Sequence, residues 1–220
     1  MLRISNLDVS IQSIDILRGV DMSLEKGQMA GLVGRNGAGK TTFIKSIMGL
    51  LKPSAGTLEF DGRDLKTVPV HERNQLGIGY MPEDRRLIPN LTVEENVLLP
   101  MWASRAPDSA ERLQYVYRII PELVGFAQRR GSQLSGGQQK LVALGRALMT
   151  GRQLLLLDEP FEGVAPALAQ RLAEVISGLK SEGMAVIFSE SDLQYSQSLV
   201  QKIFVMDRGT LTETSATAAA

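Results

Sequence analysis

Residues 34–42, GRNGAGKTT, constrain the fold of this chain more than any other stretch. Gly34, Gly39, Lys40 and Thr41 keep the G-x-x-x-x-G-K-[ST] spacing, with Asn36 and Gly37 inside the loop. An apolar run at 29–33 precedes the loop and reads as a short buried strand, while 41–51 has helical character. A strand, a glycine loop and a helix in succession predict an α/β unit in which the loop faces a phosphate. Glycines let backbone amides curl around phosphate oxygens where a β-carbon would intrude, and the helix that follows points its positive end at the same place. Lys40 can reach the β- and γ-phosphates, the Thr41 hydroxyl can ligate magnesium, and Thr42 can add a phosphate contact. The alternative is a plain glycine turn before a helix, which the flanking strand and helix disfavour.

The remaining chain continues the alternation. Segments 2–10 and 14–24 suit an antiparallel pair, 57–60 and 78–81 read as strands, and 53–56 and 61–62 as turns. From 92 to 150 helical stretches dominate without a convincing strand, which predicts an inserted helical subdomain. Strands return at 154–157, 184–188 and 203–206, with a helix whose buried face carries Leu168, Leu172, Val175, Ile176 and Leu179, and a second helical segment before the last strand. Alternating strands and helices favour a mainly parallel, helix-covered sheet. The expected architecture is a single α/β domain of 220 residues. Residues 1–82 and 151–214 form the core with an N-terminal antiparallel β subdomain, 83–150 form the helical subdomain, and the tail TETSATAAA is frayed, above all at 215–220.

Composition narrows the function classes. The chain balances 24 basic against 24 acidic residues, so overall charge does not recommend nucleic acid as a partner. It has no cysteine, which removes disulfides and thiolate metal sites. The first residues lack the pattern of a secretory signal, and no apolar run is long enough to cross a bilayer, so work at a membrane would require another chain to span it.

A phosphate cradle also needs a carboxylate for the metal and a group that positions water. In LLLLDEP, four leucines set Asp158 at the end of a buried strand. Asp158 would hold magnesium through its water shell, and Glu159 would orient or deprotonate the attacking water. Alone the string is an ordinary turn; beside the glycine loop it gains chemical meaning. A third string, LSGGQQ, places Ser135, Gly136, Gly137 and Gln138 where a helix should begin. A serine and two glycines there form an anion site at a helix N-terminus, or else a plain glycine-rich start.

In this order the three strings resemble the ATP-binding-cassette ATPases, over essentially the whole chain. The resemblance implies the P-loop NTPase fold, with ATP and Mg2+ bound in a dimer. There LSGGQ, including Gln138, closes on the γ-phosphate held by the other subunit. The strings GIGYMPEDRRLIPNLTVEENVLL, GRALMTGRQLLLLDEP and FEGVAP look like the ATPase subunits of branched-chain amino acid, amide and urea importers. That likeness implies transmembrane permease subunits as partners, with residues 83–96 as their contact, a second cassette, and an indirect solute-binding protein outside the membrane. The place of action would be the cytoplasmic face of the cell membrane. Without the resemblance, Glu94 and Glu95 are acidic residues in a first helical turn after Asn90 or Thr92, and Arg85 and Arg86 a solvated charged face.

Departures from the family pattern matter too. Glu83 stands where most cassettes have a metal-contacting glutamine. Ser191 aligns with the switch histidine by its distance from the turn at 207–209. Ile11 falls at the adenine-stacking position of the first hairpin. Phe161 occupies the loop through which cassettes sense each other's sites, or is a core residue. The only histidine, His71, reads as a surface helix residue. The function expected is an ATPase subunit of an importer for a small solute. The alternatives are a catalytically weak cassette acting as the interaction half of a heterodimer, and a soluble cassette of translation or DNA repair.

Overall fold

The computed structural model describes residues 1–214. Strands β1 (Leu2–Ile11) and β2 (Ile14–Leu24) form an antiparallel hairpin around Gln12 and Ser13, both left-handed with φ of 50° and 67°. Consecutive left-handed residues match the twist of a two-residue hairpin. With β4 (Ala55–Phe60) and β5 (Arg63–Asp64) they make a four-stranded sheet in the order β2-β1-β4-β5.

The second sheet has six strands: β3 (Met29–Val33), β6 (Ile78–Met81), β7 (Leu154–Asp158), β8 (Ala185–Glu190), β9 (Lys202–Asp207) and β10 (Thr210–Thr214). Their order is β10-β9-β3-β8-β7-β6, parallel except for the antiparallel β9–β10 edge. Side-chain alternation divides the core between the two faces. Leu155, Leu157, Val186, Phe188 and Ile203 join one cluster; Leu154, Leu156, Ala185, Ile187 and Phe204 join the other.

Helix α1 (Lys40–Ile47) lies with the second cluster, and the four-residue α2 (Val70–Arg73) follows β5. Helices α3 (Val93–Ser104), α4 (Ser109–Ile119) and α5 (Gly136–Thr150) come between β6 and β7, and α6 (Pro166–Ser181) between β7 and β8. No strand falls between β6 and β7 among the described residues, only an isolated bridge between Thr92 and Arg130.

The sequence reading needs three corrections. The helix expected over 41–51 ends at Ile47, because Gly49 turns left-handed (φ 75°) and buried Arg73 donates to the carbonyls of Ser46 and Ile47 at the helix end. The second helical segment, expected before the strand at 203–206, is a run of turns over 194–199. There side chains compete with the helix ladder: Gln194 N donates to Asp192 Oδ1, and the Ser196 hydroxyl to Glu190. Residues 212–214, expected to fray, pair in β10; residues 215–220 lie outside the described residues.

Candidate nucleotide site

The loop between β3 and α1 forms because its glycines accept what other residues resist. Gly39, the N-cap of α1, has φ 116°, and a β-carbon there would stand 2.9 Å from Leu17 Cδ2. A β-carbon on Gly34 would stand 2.3 Å from the carbonyl oxygen of Met206. Gly39 brings no side-chain cap, so the first amides of α1 remain donors for an anion. A cleft of about 470 Å³ opens there, lined by Ile16, Asn36, Gly37, Gly39, Lys40, Thr41, Thr42, Glu83 and Glu159.

Sheet register brings the carboxylates to this cleft. Asp158, at the end of β7, pairs with Ser189 on β8. Its Oδ1 accepts from Ser189 Oγ at 2.6 Å and from Thr41 Oγ1 at 3.1 Å; its buried Oδ2 has no partner. A buried carboxylate oxygen beside a threonine hydroxyl suits a hard divalent cation that keeps most of its other ligands as water and phosphate. Among the described residues no group of three or more His, Cys, Asp or Glu side chains could hold a metal alone.

Glu159 follows in a left-handed conformation, φ 49°. Its amide donates to Ser189 O and Oγ at 3.2 and 3.1 Å, and its carboxylate pairs with the Lys40 ammonium at 3.0 Å. Lys40 also donates to Gly34 O at 2.6 Å. Burial raises the Glu159 pKa above the ordinary carboxylate value, against the opposing pull of Lys40. The result is a basic carboxylate beside a phosphate-shaped loop, suited to taking a proton from water.

The family model described as ABC transporter matches residues 17–162, more than half of the chain and every residue that lines this cleft except Ile16. The chain belongs to the ABC transporter family. It is 32% identical over 209 residues to the branched-chain amino acid transport ATP-binding protein BraG of Pseudomonas aeruginosa, covering 95% of this chain and 90% of that one. It is 30% identical over 210 residues to the probable branched-chain amino acid transport ATP-binding protein LivF of Archaeoglobus fulgidus, covering 95% and 89%. It is also 29% identical to the lipopolysaccharide export ATP-binding protein LptB of Haemophilus influenzae, covering 97% and 90%. Among solved structures, a nucleotide-free ATP-binding cassette from an ABC transporter superposes with a TM-score of 0.86 at 29% identity, covering 98% of this chain and 91% of that one. The protein is an ABC transporter ATPase subunit, with the P-loop NTPase fold expected from its sequence.

Other residues of this ABC ATPase fall in different places. Ser135 caps α5 and makes a reciprocal box with Gln138: Gln138 N donates to Ser135 Oγ at 3.3 Å, and Ser135 N to Gln138 Oε1 at 3.1 Å. The Ser135 hydroxyl thus keeps its proton for another acceptor, and the amides of Gly136 and Gly137 are first-turn donors that the helix does not use. None of Ser135, Gly136, Gly137 and Gln138 lines the cleft. Glu83 lines it, and shares with Thr41 and Asp158 a smaller cavity of about 140 Å³. Ser191 donates to Asn36 Oδ1 at 3.2 Å, beside the loop but outside the main cleft.

Ile11 sits at the hairpin tip opposite Ile14, exposed and outside the lining of the cleft, which Ile16 joins from β2. Phe161, left open in sequence, is buried, its ring 6.1 Å from that of Tyr195. His71 is exposed on α2, as expected. Arg85 is no merely solvated charge: it donates to Gln139 Oε1 at 3.1 Å, and Arg146 on α5 donates to the carbonyls of Arg85 and Arg86. Thr92 caps α3 in a box with Glu95, choosing between the two starts left open. Sequence reasoning missed Ser189, Ile16, Lys140 and the buried Glu190, none of which carries a local motif.

Proposed function

We propose that this ATPase drives an importer for a small solute, a branched-chain amino acid or related amide, from the cytoplasmic face of a membrane. The observation that carries this reading is spatial. Lys40, Thr41 and Glu159 line one cleft, with Asp158 bonded to Thr41 beside it, while the Ser135 helix start, an anion site of the same kind, lies elsewhere on the chain. A phosphate held at the first is closed by the second only if two cassettes face each other. The names of BraG and LivF support an amino acid cargo, and LptB, at similar identity, represents the competing export role. No helix among the described residues is long and apolar enough to cross a membrane, so permease subunits would supply the path. Residues 83–96 are their proposed contact, with Ile88 exposed on that loop.

In this reading the loop amides and Lys40 neutralise the β- and γ-phosphates of ATP. Thr41 and Asp158, with Glu83, would hold Mg2+, whose charge lowers the cost of building negative charge on the leaving phosphate. Glu159 orients water and takes its proton. To do so it must exchange its ion pair with Lys40, which turns to phosphate when ATP arrives. The partner's Ser135 hydroxyl and the amides of the partner's Gly136 and Gly137 complete the site. ATP joins the two cassettes, hydrolysis releases them, and that cycle moves the permease.

The test is MgATP turnover by the purified chain over a range of concentration, beside Lys40→Ala and Glu159→Gln. The reading expects turnover to rise more than linearly with protein and to vanish in both variants; a Lys40→Ala chain hydrolysing like the parent overturns it. One observation favours a second reading. Ser191 brings a neutral hydroxyl, bonded to Asn36, to the place of a charged side chain. A chain that binds ATP without turnover alone, and hydrolyses when mixed with a second cassette bearing a histidine there, would make this the interaction half of a heterodimer.

A further inference from the structure

Lys140 sits in the second turn of α5, the helix that Ser135 begins, and is only 2% exposed. Its ammonium donates to Glu159 O at 2.7 Å and to Pro160 O at 3.0 Å. Among the described residues no carboxylate comes within ion-pair distance of it. Burying an ammonium whose partners are two backbone carbonyls costs stability, and burial with help from nearby Arg85 lowers its pKa to about 8, against Glu162, Glu159 and Glu83. A neutral side chain would pack there at less cost, so the cation must bring something that packing does not.

What it touches indicates the role. Glu159 is left-handed, a conformation a glutamate adopts only when its surroundings hold it. Ser189 binds its amide, Lys40 its carboxylate and Lys140 its carbonyl. The first two ties come from the sheet and the glycine loop, which are parts of the site itself. Only Lys140 comes from the helix whose N-terminus lies outside the cleft.

We propose that Lys140 is a positioning residue that fixes the backbone of Glu159 from the Ser135 helix, so that engagement of that helix by a second cassette's nucleotide aims the Glu159 carboxylate. The inference rests on Glu159 being the water-orienting group of the proposed function. It links the anion site that a chain offers its partner to the cleft that it keeps for itself: phosphate binding at Ser135 draws on α5, α5 carries Lys140, and Lys140 holds the peptide that sets the direction of the carboxylate.

The experiment compares Lys140→Met, which keeps length and apolar packing without a donor, Lys140→Gln, which keeps a donor without the charge, and Glu159→Gln. For Lys140→Met the expected result is a kcat lower by about 10- to 100-fold with an unchanged KM for ATP, even where the two carbonyls it leaves unpaired lower Tm. Lys140→Gln recovers part of the lost kcat. Under native conditions, hydrogen exchange of the amides of Glu159, Phe161 and Glu162 is faster in Lys140→Met than in the parent. A kcat within twofold of the parent, or a KM for ATP that rises as kcat falls, overturns the proposal. If the parent alone turns over too slowly to compare, exchange of those three amides decides, and equal rates overturn it. A Glu159→Gln chain with parental turnover would instead locate the failure in the reading of Glu159.

Discussion

Glu159 and Glu190 line one cavity of about 250 Å³, and burial pushes both carboxyls toward the neutral form, yet with different company. Glu159 has Lys40 to pull it back; Glu190, 4% exposed, has only the Ser196 hydroxyl, with Glu159 and Asp192 repelling its charge, and its pKa rises to about 8. Since the folded value lies above the unfolded one of 4.5, Glu190 contributes stability that is fully present below about pH 4.5 and lost as pH rises through about 8. Glu190→Gln removes that loss. Urea unfolding at pH 4, 7 and 9 should show parent and variant alike in acid, with the variant ahead by up to a few kcal/mol at pH 9. A difference that does not vary with pH would refute this. At Glu159 the outcome is chemical: Glu159→Gln should lower turnover by about 10² to 10⁴ while ATP still binds, checked by equilibrium binding beside the rate.

At the scale of elements, α5 and α1 each present an anion donor at their start, and each depends on contacts at one of its ends. The start of α5 depends on the reciprocal box of Ser135 and Gln138. Ser135→Ala should cost about 1 kcal/mol in chemical denaturation and reduce turnover without weakening ATP binding by the isolated chain. The far end of α1 depends on Arg73, buried to 3% exposure, which donates to Ser46 O and Ile47 O on the helix and to Leu65 O and Val68 O beyond it. Arg73→Met strands those carbonyls and should destabilise the fold by about 1–3 kcal/mol, seen as a lower urea midpoint. Since α1 carries Lys40 and Thr41 at its other end, ATP affinity should fall with it.

At the scale of the whole molecule, the nucleotide cleft and the Ser135 helix start lie apart, as the proposed facing pair of cassettes requires. The cleft sits where β3, β7 and β8 end, and the Ser135 helix start sits on the helical segment between β6 and β7. A rigid single copy cannot close one on the other, so sedimentation of Glu159→Gln should show a dimer with MgATP and a monomer without it. A monomer under both conditions, with parental turnover linear in concentration, would rule out the facing pair.

What the amino-acid order determined by itself was the chemistry that lies within one turn or one loop. The spacing of Gly34, Gly39, Lys40 and Thr41, the Asp158-Glu159 step after four leucines, and the Ser135 start of α5 are readable because neighbours in the chain share one backbone geometry. The alternation of strands and helices followed from the same short-range periodicity. Tertiary structure decided the pairs that no spacing encodes. Register between β7 and β8 sets Ser189 against Asp158, the return of β2 brings Ile16 to the cleft where Ile11 was expected, and burial of α5 carries Lys140 to the back of Glu159. Such contacts depend on which strands lie side by side and how far each has slipped, and a shift of one residue would exchange every inward side chain for an outward one. The motifs are local, but the environment that tunes them is assembled from across the chain.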